Sequence, residues 1–225
     1  MILKFARSPL FFLFILQTVQ FTTCLLFSIA DVYLQRIKLK LLLKDAIVSS
    51  LGFVPFVIVW KMNIIPFERD LPSTFPTIPV AIYQFGISLL FSDLFHYLAH
   101  RVLHSNKFLK SNIHSVHHAY EGPIYSWVGS HAHPIEVIIN IIVIYAPFVC
   151  FAHVYILWSF AIIATINSVC IHSGYHSFGL YRLFPSFILN PNHHESHHAK
   201  NATKNYGNLL QIWDRQFSTF QDSHL

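Results

Sequence analysis

Residues 78–104 read IPVAIYQFGISLLFSDLFHYLAHRVLH, an apolar run that passes without a break into three histidines. His96, His100 and His104 stand four residues apart, so on a helix they share one face. Asp93 lies one turn before His96 on that face. A carboxylate there is placed to accept the second ring N–H of a ligating histidine and fix its tautomer. The stretch predicts a membrane helix that delivers imidazoles just above the lipid.

Fourteen of the 16 histidines fall into clusters. Beside the first three these are His114, His117 and His118; His131 and His133; His172 and His176; and His193, His194, His197 and His198. His153 and His224 stand apart and are not expected to bind metal. No ordinary core needs such clusters, and they read as metal ligands. His114-Ser-Val-His117-His118 and His194-Glu-Ser-His197-His198 share the pattern HxxHH. Spacings of three and four keep two ligands on one helical face, and the adjacent histidine can reach a second metal. Imidazole suits Zn, Cu, Fe and Ni. About ten imidazoles exceed the roughly four to six positions of one ion, so the count predicts two metals.

The rest of the chain is built for lipid. It is 54% hydrophobic and 11% charged, with 22 Phe, whereas soluble domains carry about 25% charged residues. A net charge of +5 suits an anionic membrane surface or nucleic acid. No basic, aromatic-interleaved patch is present, so no nucleic-acid partner is expected. Cys24, Cys150 and Cys170 lie scattered in apolar segments, which predicts buried thiols rather than disulfides or a CxxC site.

Residues 10–30 carry no charge and meet the length of about 20 that a span needs. A cleaved signal peptide is the alternative, since Lys4 and Arg7 precede the run and Ser28-Ile29-Ala30 resembles a cleavage site. Its length favours an anchor over the shorter core of a signal. A basic link with Arg36, Lys38, Lys40 and Lys44 follows. Residues 46–60 are apolar but short and contain Pro55, which predicts a kinked span or a re-entrant hairpin. Pro66, Pro72, Pro76 and Pro79 mark a loop. Residues 137–152 and 154–171 predict a membrane hairpin that returns the chain to the side it left. The main histidine clusters then meet on one membrane face. That face holds 11 of the 15 Lys and Arg, which predicts a cytosolic orientation. The sequon Asn201-Ala202-Thr203 is accordingly expected to be unglycosylated. The expected fold is an all-α integral membrane protein of four to five transmembrane helices with a cytosolic, histidine-rich di-metal cap.

Taken in order, Asp93-x-x-His-Tyr-x-x-His-Arg-x-x-His104, HxxHH at 114–118, His133-Pro-Ile-Glu136, His172-Ser-Gly-Tyr175 and His193-His-x-x-His-His198 resemble the fatty acid hydroxylase superfamily. Within it the likeness is to C-4 methylsterol monooxygenases, with sterol 25-hydroxylase-like members next. Asn205-Tyr206-Gly207 and Trp213-Asp214-Arg215 resemble the end of that domain. The resemblance implies an N-terminal anchoring region over 1–77 and a catalytic domain over 78–225. It implies a di-iron, non-haem oxygenase of the endoplasmic reticulum, acting on a membrane lipid. Electrons would come from NAD(P)H through cytochrome b5 or a similar donor and its reductase.

By position, His100, His104, His114, His117, His118, His172, His194, His197 and His198 match family ligands. His176 adds an HxxxH spacing found in some fatty acid hydroxylases and is expected as a further ligand. Asp93, His96, His133, Glu136, His193 and Asp214 are expected to support the ligands or join them, and Tyr125 and Trp127 to face the substrate. The expected reaction is oxidation of an unactivated C–H of a sterol, by C-4 methyl oxidation or side-chain hydroxylation. A fatty acyl or sphingolipid hydroxylase or desaturase is the alternative.

Two readings come from other classes. His194-Glu195-Ser196-His197-His198 satisfies HExxH, the signature of a zinc protease, but that reading leaves the clusters at 96–118 and 172–176 without a task. A metal-binding or transport protein would hold its site near the midplane of its spans, whereas these histidines flank them.

Overall fold

The computed structural model describes residues 9–34, 36–51, 53–62, 74–120, 124–175, 188, 191–199 and 203–222. Helices dominate: α1 Pro9–Tyr33, α2 Leu39–Ser50, α3 Phe53–Lys61, α4 Ile78–Ser105, α5 Pro134–Phe151, α6 Val154–Ile171, α7 Pro191–Ala199 and α8 Ile212–Gln216. Among the described residues there is no strand, and one isolated antiparallel bridge joins Ile188 to Leu210.

Four of these helices, α1, α4, α5 and α6, are long and apolar enough to cross a membrane. Their outward side chains include Phe14, Leu26, Ile82, Phe151 and Ile163, the surface that lipid, not water, favours. The stretch at 46–60 is not one continuous helix. It divides between α2 with 12 residues and α3 with 9. At about 1.5 Å per residue, neither reaches the hydrocarbon thickness of about 30 Å. The break falls after Ser50 and not at Pro55, which sits in the first turn of α3, where a missing N–H leaves no helix bond unmade. Asp45 on α2 bonds Tyr120, and Phe56 and Val59 on α3 share a core with Phe148 and Leu157 near the hairpin turn. The two short helices thus lead from the histidine end of the bundle to the opposite end.

At that opposite end α5 and α6 meet through stacked Phe148 and Phe160, 3.7 Å between ring centroids. The turn is closed by His153, which caps α6 and donates its backbone N–H to Gln84 of α4 at 2.9 Å. Within α5, Pro147 interrupts the helical ladder. Ser92 of α4 donates to the Ile144 carbonyl at 2.8 Å, and Ser88 to the Pro147 carbonyl at 3.5 Å. The C-terminal end of α4, the start of α5 and the end of α6 all lie at the other pole, where the histidines gather.

Candidate metal centre

Helix α4 carries His100 and His104 one turn apart. It stops at Asn106, which leaves helical conformation and caps the next turn by accepting from the Leu109 N–H at 3.1 Å. A one-turn helix Lys107–Leu109, a π-helical turn Lys110–His114 and a second short turn Ser115–His117 bring the first HxxHH over the end of α4. Single π-turns concentrate at functional sites because they re-aim side chains. His172 caps the end of α6, and α7 supplies the second HxxHH.

Two groups form. His100, His104, His114, His118 and His197 make one, and His117, His172, His194 and His198 the other. Within each group one ring nitrogen per residue lies within 4.8 Å of all the others. The two motifs are used reciprocally. His114 and His118 join the first group while His117 joins the second, and in α7 His194 and His198 join the second while His197 joins the first. Helical geometry explains the exchange. Residues four apart lie about 40° apart around the axis, and adjacent ones about 100° apart.

Hydrogen bonds fix the tautomers. Nδ1 of His100 faces the Tyr206 carbonyl at 3.0 Å, that of His117 the His131 carbonyl at 3.3 Å, that of His172 the Ser168 carbonyl at 2.6 Å and that of His197 the Lys204 carbonyl at 2.6 Å. Nδ1 of His114 faces Glu136 at 2.8 Å. Carbonyl and carboxylate oxygens only accept, so each of these Nδ1 atoms carries the proton and each Nε2 a lone pair. Yet His104 Nε2 lies 2.8 Å from His114 Nε2 and 3.0 Å from His197 Nε2. It can supply at most one proton to two lone pairs. Buried nitrogens of His100, His104, His118, His194 and His198 also have no hydrogen-bond partner among the described residues. A metal cation satisfies such a set, and protons cannot. The residues fit imidazole-bound transition metals.

Electrostatics agree. Burial, reinforced by neighbouring imidazoles, pushes His118 down to about 2 and His172 to about 3. Burial likewise holds His117, His194, His197 and His198 below the usual histidine range. The rings stay neutral, which is the form that binds metal. Beneath them lies a cavity of about 260 Å³. It starts at His100, His117, His172 and His194 and runs between α5 and α6 past Ile141 and Ile144 to Tyr145.

The other expected site residues scatter. Asp93 does not orient a histidine. It accepts the backbone N–H groups of Leu209 at 2.9 Å and Leu210 at 3.2 Å, pinning the C-terminal loop to α4. Glu136 performs the orienting task instead, at His114. Asp214 accepts from the Tyr206 and Gly207 backbone at 2.8 and 2.7 Å and so holds the carbonyl that braces His100. His96 lines the cavity but belongs to neither group. His133 caps α5, accepting from the Ile135 N–H at 3.2 Å, and His193 pairs with Gln211 at 3.2 Å. His176, Asn201 and Ala202 lie outside the described residues.

Tyr125 and Trp127 do not face the cavity. Both are buried against the N-terminal helices, where Tyr125 donates to Asp45 and Trp127 Nε1 donates to Ser28 at 2.8 Å. The contribution of α1 and α2 was hidden in the sequence, because Asp31 and Asp45 read as ordinary charges near a basic link. Asp31 pairs with Arg36 at 2.8 Å and accepts from Tyr175 at 3.0 Å. Nothing in the local sequence marks Gly129 either. A Cβ there would lie 2.7 Å from His172 Nδ1, so only glycine lets the loop pass this close to the ring.

Four apolar helices of membrane-crossing length, crowned by two sets of converging imidazoles that could hold metal ions, define a histidine-rich membrane-protein class. The chain belongs to the fatty acid hydroxylase family, which matches residues 85–219. Methylsterol monooxygenase 1 of Danio rerio is 32% identical over 158 residues, covering 69% of this chain and 52% of the relative. The Gallus gallus protein of the same name is 34% identical over 159 residues, covering 69% and 51%. A very-long-chain aldehyde decarbonylase of Oryza sativa subsp. indica is 31% identical over 150 residues, covering 64% and 54%. The chain spans about half the length of these curated relatives. No solved structure matches it.

Proposed function

We propose that the protein is a membrane-bound, non-haem di-iron oxygenase that oxidises an unactivated C–H bond of a lipid. A sterol is the lead substrate, by C-4 methyl oxidation or side-chain hydroxylation, and the methylsterol monooxygenase relatives support that choice. The observation that carries the reading is the convergence of nine imidazoles in two groups at the mouth of a cavity leading into apolar spans. A fatty acyl or sphingolipid substrate is the second reading, favoured by the decarbonylase relative.

His100, His104, His114, His118 and His197 would hold one iron, and His117, His172, His194 and His198 the other. When bound, iron supplies reduction of O₂ and oxidation of the substrate carbon. The chain's own residues prepare that chemistry. Glu136 and four backbone carbonyls hold Nδ1 protons and so aim Nε2 lone pairs inward. Ile141, Ile144 and Ala164 line the cavity with apolar surface, which favours a lipid body over water. His194 and His198 of the HExxH match share their group with His117 and His172, which favours the family reading over a protease.

Electrons would come from NAD(P)H through a cytochrome b5-like donor and its reductase. Exposed Lys38, Lys40, Lys44, Arg101, Lys107 and Lys110 offer an acidic carrier a basic surface. Their side of the bundle would be cytosolic in an endoplasmic reticulum membrane. The test is oxidation of a 4-methyl sterol under ¹⁸O₂ by the full chain reconstituted with an NADH-driven donor. One ¹⁸O atom in an oxidised sterol is expected. No ¹⁸O product from either a sterol or a fatty acyl panel would overturn the oxygenase reading.

A further inference from the structure

The cavity below the histidines is not uniformly apolar. Asn140 on α5 and Ser168 on α6 both line it. Asn140 is one turn past Glu136, the residue that braces His114, and Ser168 is one turn before His172. Each therefore sits one turn deeper in the bundle than a site residue, on the two helices that face each other across the cavity. Ile141, Ile144 and Ala164 line it as well, so Asn140 and Ser168 share the cavity wall with apolar side chains, one turn from the residues that serve the imidazoles.

The two side chains are poorly served by the protein. Gln20 is bonded to Ser130, Thr165 returns its hydroxyl to the Ala161 carbonyl at 2.8 Å, and Ser126 donates to the Cys24 carbonyl at 3.4 Å. The Asn140 carboxamide and the Ser168 hydroxyl have no such bond among the described residues; at Ser168 it is the backbone carbonyl that His172 uses. A carboxamide inside a membrane helix is costly unless something pairs with it, and a polar residue at that depth marks function.

We propose that Asn140, with Ser168, is a specificity-determining subsite that hydrogen-bonds a hydroxyl or carbonyl oxygen of the substrate close to the carbon that is oxidised. The proposal rests on the lipid-oxygenase reading and sharpens it. One helical turn is about 5.4 Å, so the polar oxygen and the reacting carbon are separated by only a few bonds. The favoured substrate is a lipid oxidised beside its polar group, with its apolar body along Ile141 and Ile144. A chain oxidised far from its headgroup would leave Asn140 unpaired.

Equilibrium binding to the full iron-loaded chain in nanodiscs tests this with two probe pairs. One pair is a 4-methyl sterol with a free 3-hydroxyl and its 3-deoxy analogue. The other is 1-octadecanol and its methyl ether. Wild type is expected to prefer the hydroxylated member of at least one pair by about tenfold, the worth of one neutral hydrogen bond. Asn140→Leu, a substitution that suits a membrane helix, should abolish that preference by weakening only the hydroxylated member, with metal content unchanged. Ser168→Ala keeps the carbonyl that braces His172 and should reduce the preference about threefold; it carries the test if Asn140→Leu aggregates. A preference for octadecanol alone would remove the sterol from the proposed function and leave the subsite standing. No preference in either pair, or one that both variants retain, would overturn the subsite and mean that water alone occupies it.

Discussion

The two histidine groups differ in number, in bracing and in what they face. The first has five imidazoles, and only His100 among them lines the cavity. The second has four, and His117, His172 and His194 all line it. The first is braced by a carboxylate, Glu136, as well as by the Tyr206 and Lys204 carbonyls. Among the described residues the second is braced by the His131 and Ser168 carbonyls, with no carboxylate. More ligands and a charged brace suit a closed site; fewer ligands against a cavity suit an open one, where substrate approaches. We infer that the second group faces the reacting carbon and the first completes the pair from behind.

The comparison can be broken most sharply by removing one ligand from each group. His104→Ala deletes the nitrogen on which His114 and His197 converge, and His194→Ala deletes the imidazole whose Nε2 lies 2.7 Å from His172 Nε2. Each should abolish turnover, by more than about 100-fold. If His194→Ala were active and His104→Ala inactive, a one-metal site would replace the two-metal account. Next, Glu136→Gln keeps a hydrogen-bond acceptor but removes the charge behind His114. It should weaken metal binding by about 10- to 100-fold, read by chelator competition, and only for the metal held by the group that contains His114.

The metal-free protein should also respond to pH. In the unfolded chain histidine titrates near 6.5, whereas folding holds His172 at about 3 and His118 at about 2. The unfolded state therefore binds more protons between those values, and stability rises with pH. Stability from these groups is fully present above about 6.5 and is lost as pH falls toward 3. The Tm of the apo-protein should drop between pH 7 and pH 5, and a Tm that rose on acidification would contradict buried neutral rings. The smallest effect belongs to the region that only supports the groups. Tyr125→Phe removes a donor to buried Asp45 and should cost about 2 kcal/mol of stability, seen as a lower Tm with KM unchanged. A raised KM with Tm intact would return Tyr125 to the substrate side.

Much of this architecture can be read from the sequence because it is written in local spacing. Nine histidines at helical intervals, His100 to His198, are brought into two groups by the very spacings that set them apart from a core. Residues 137–152 and 154–171 read as a hairpin because both runs are apolar and end together, and α5 and α6 form it. What escapes local reading is long-range pairing. Asp93 shares a helical face with His96, yet its carboxylate is taken by Leu209 and Leu210, more than a hundred residues away. Tyr125 and Trp127 carry no mark of the helix they pack on, and Asp45 and Ser28 claim them from the N-terminal region. At 46–60, composition suggests a kink at Pro55, but proline is harmless in a first turn, and the helices part after Ser50.

The most direct test of the central claim is metal content of the detergent-purified full chain, by elemental analysis, for wild type and for the double variant His117→Ala with His197→Ala, one residue from each group. The account predicts about two irons per chain in wild type and their loss in the double variant. One tightly held zinc, retained when His117 alone is replaced by alanine, would contradict it and bring the HExxH match at 194–198 to the front.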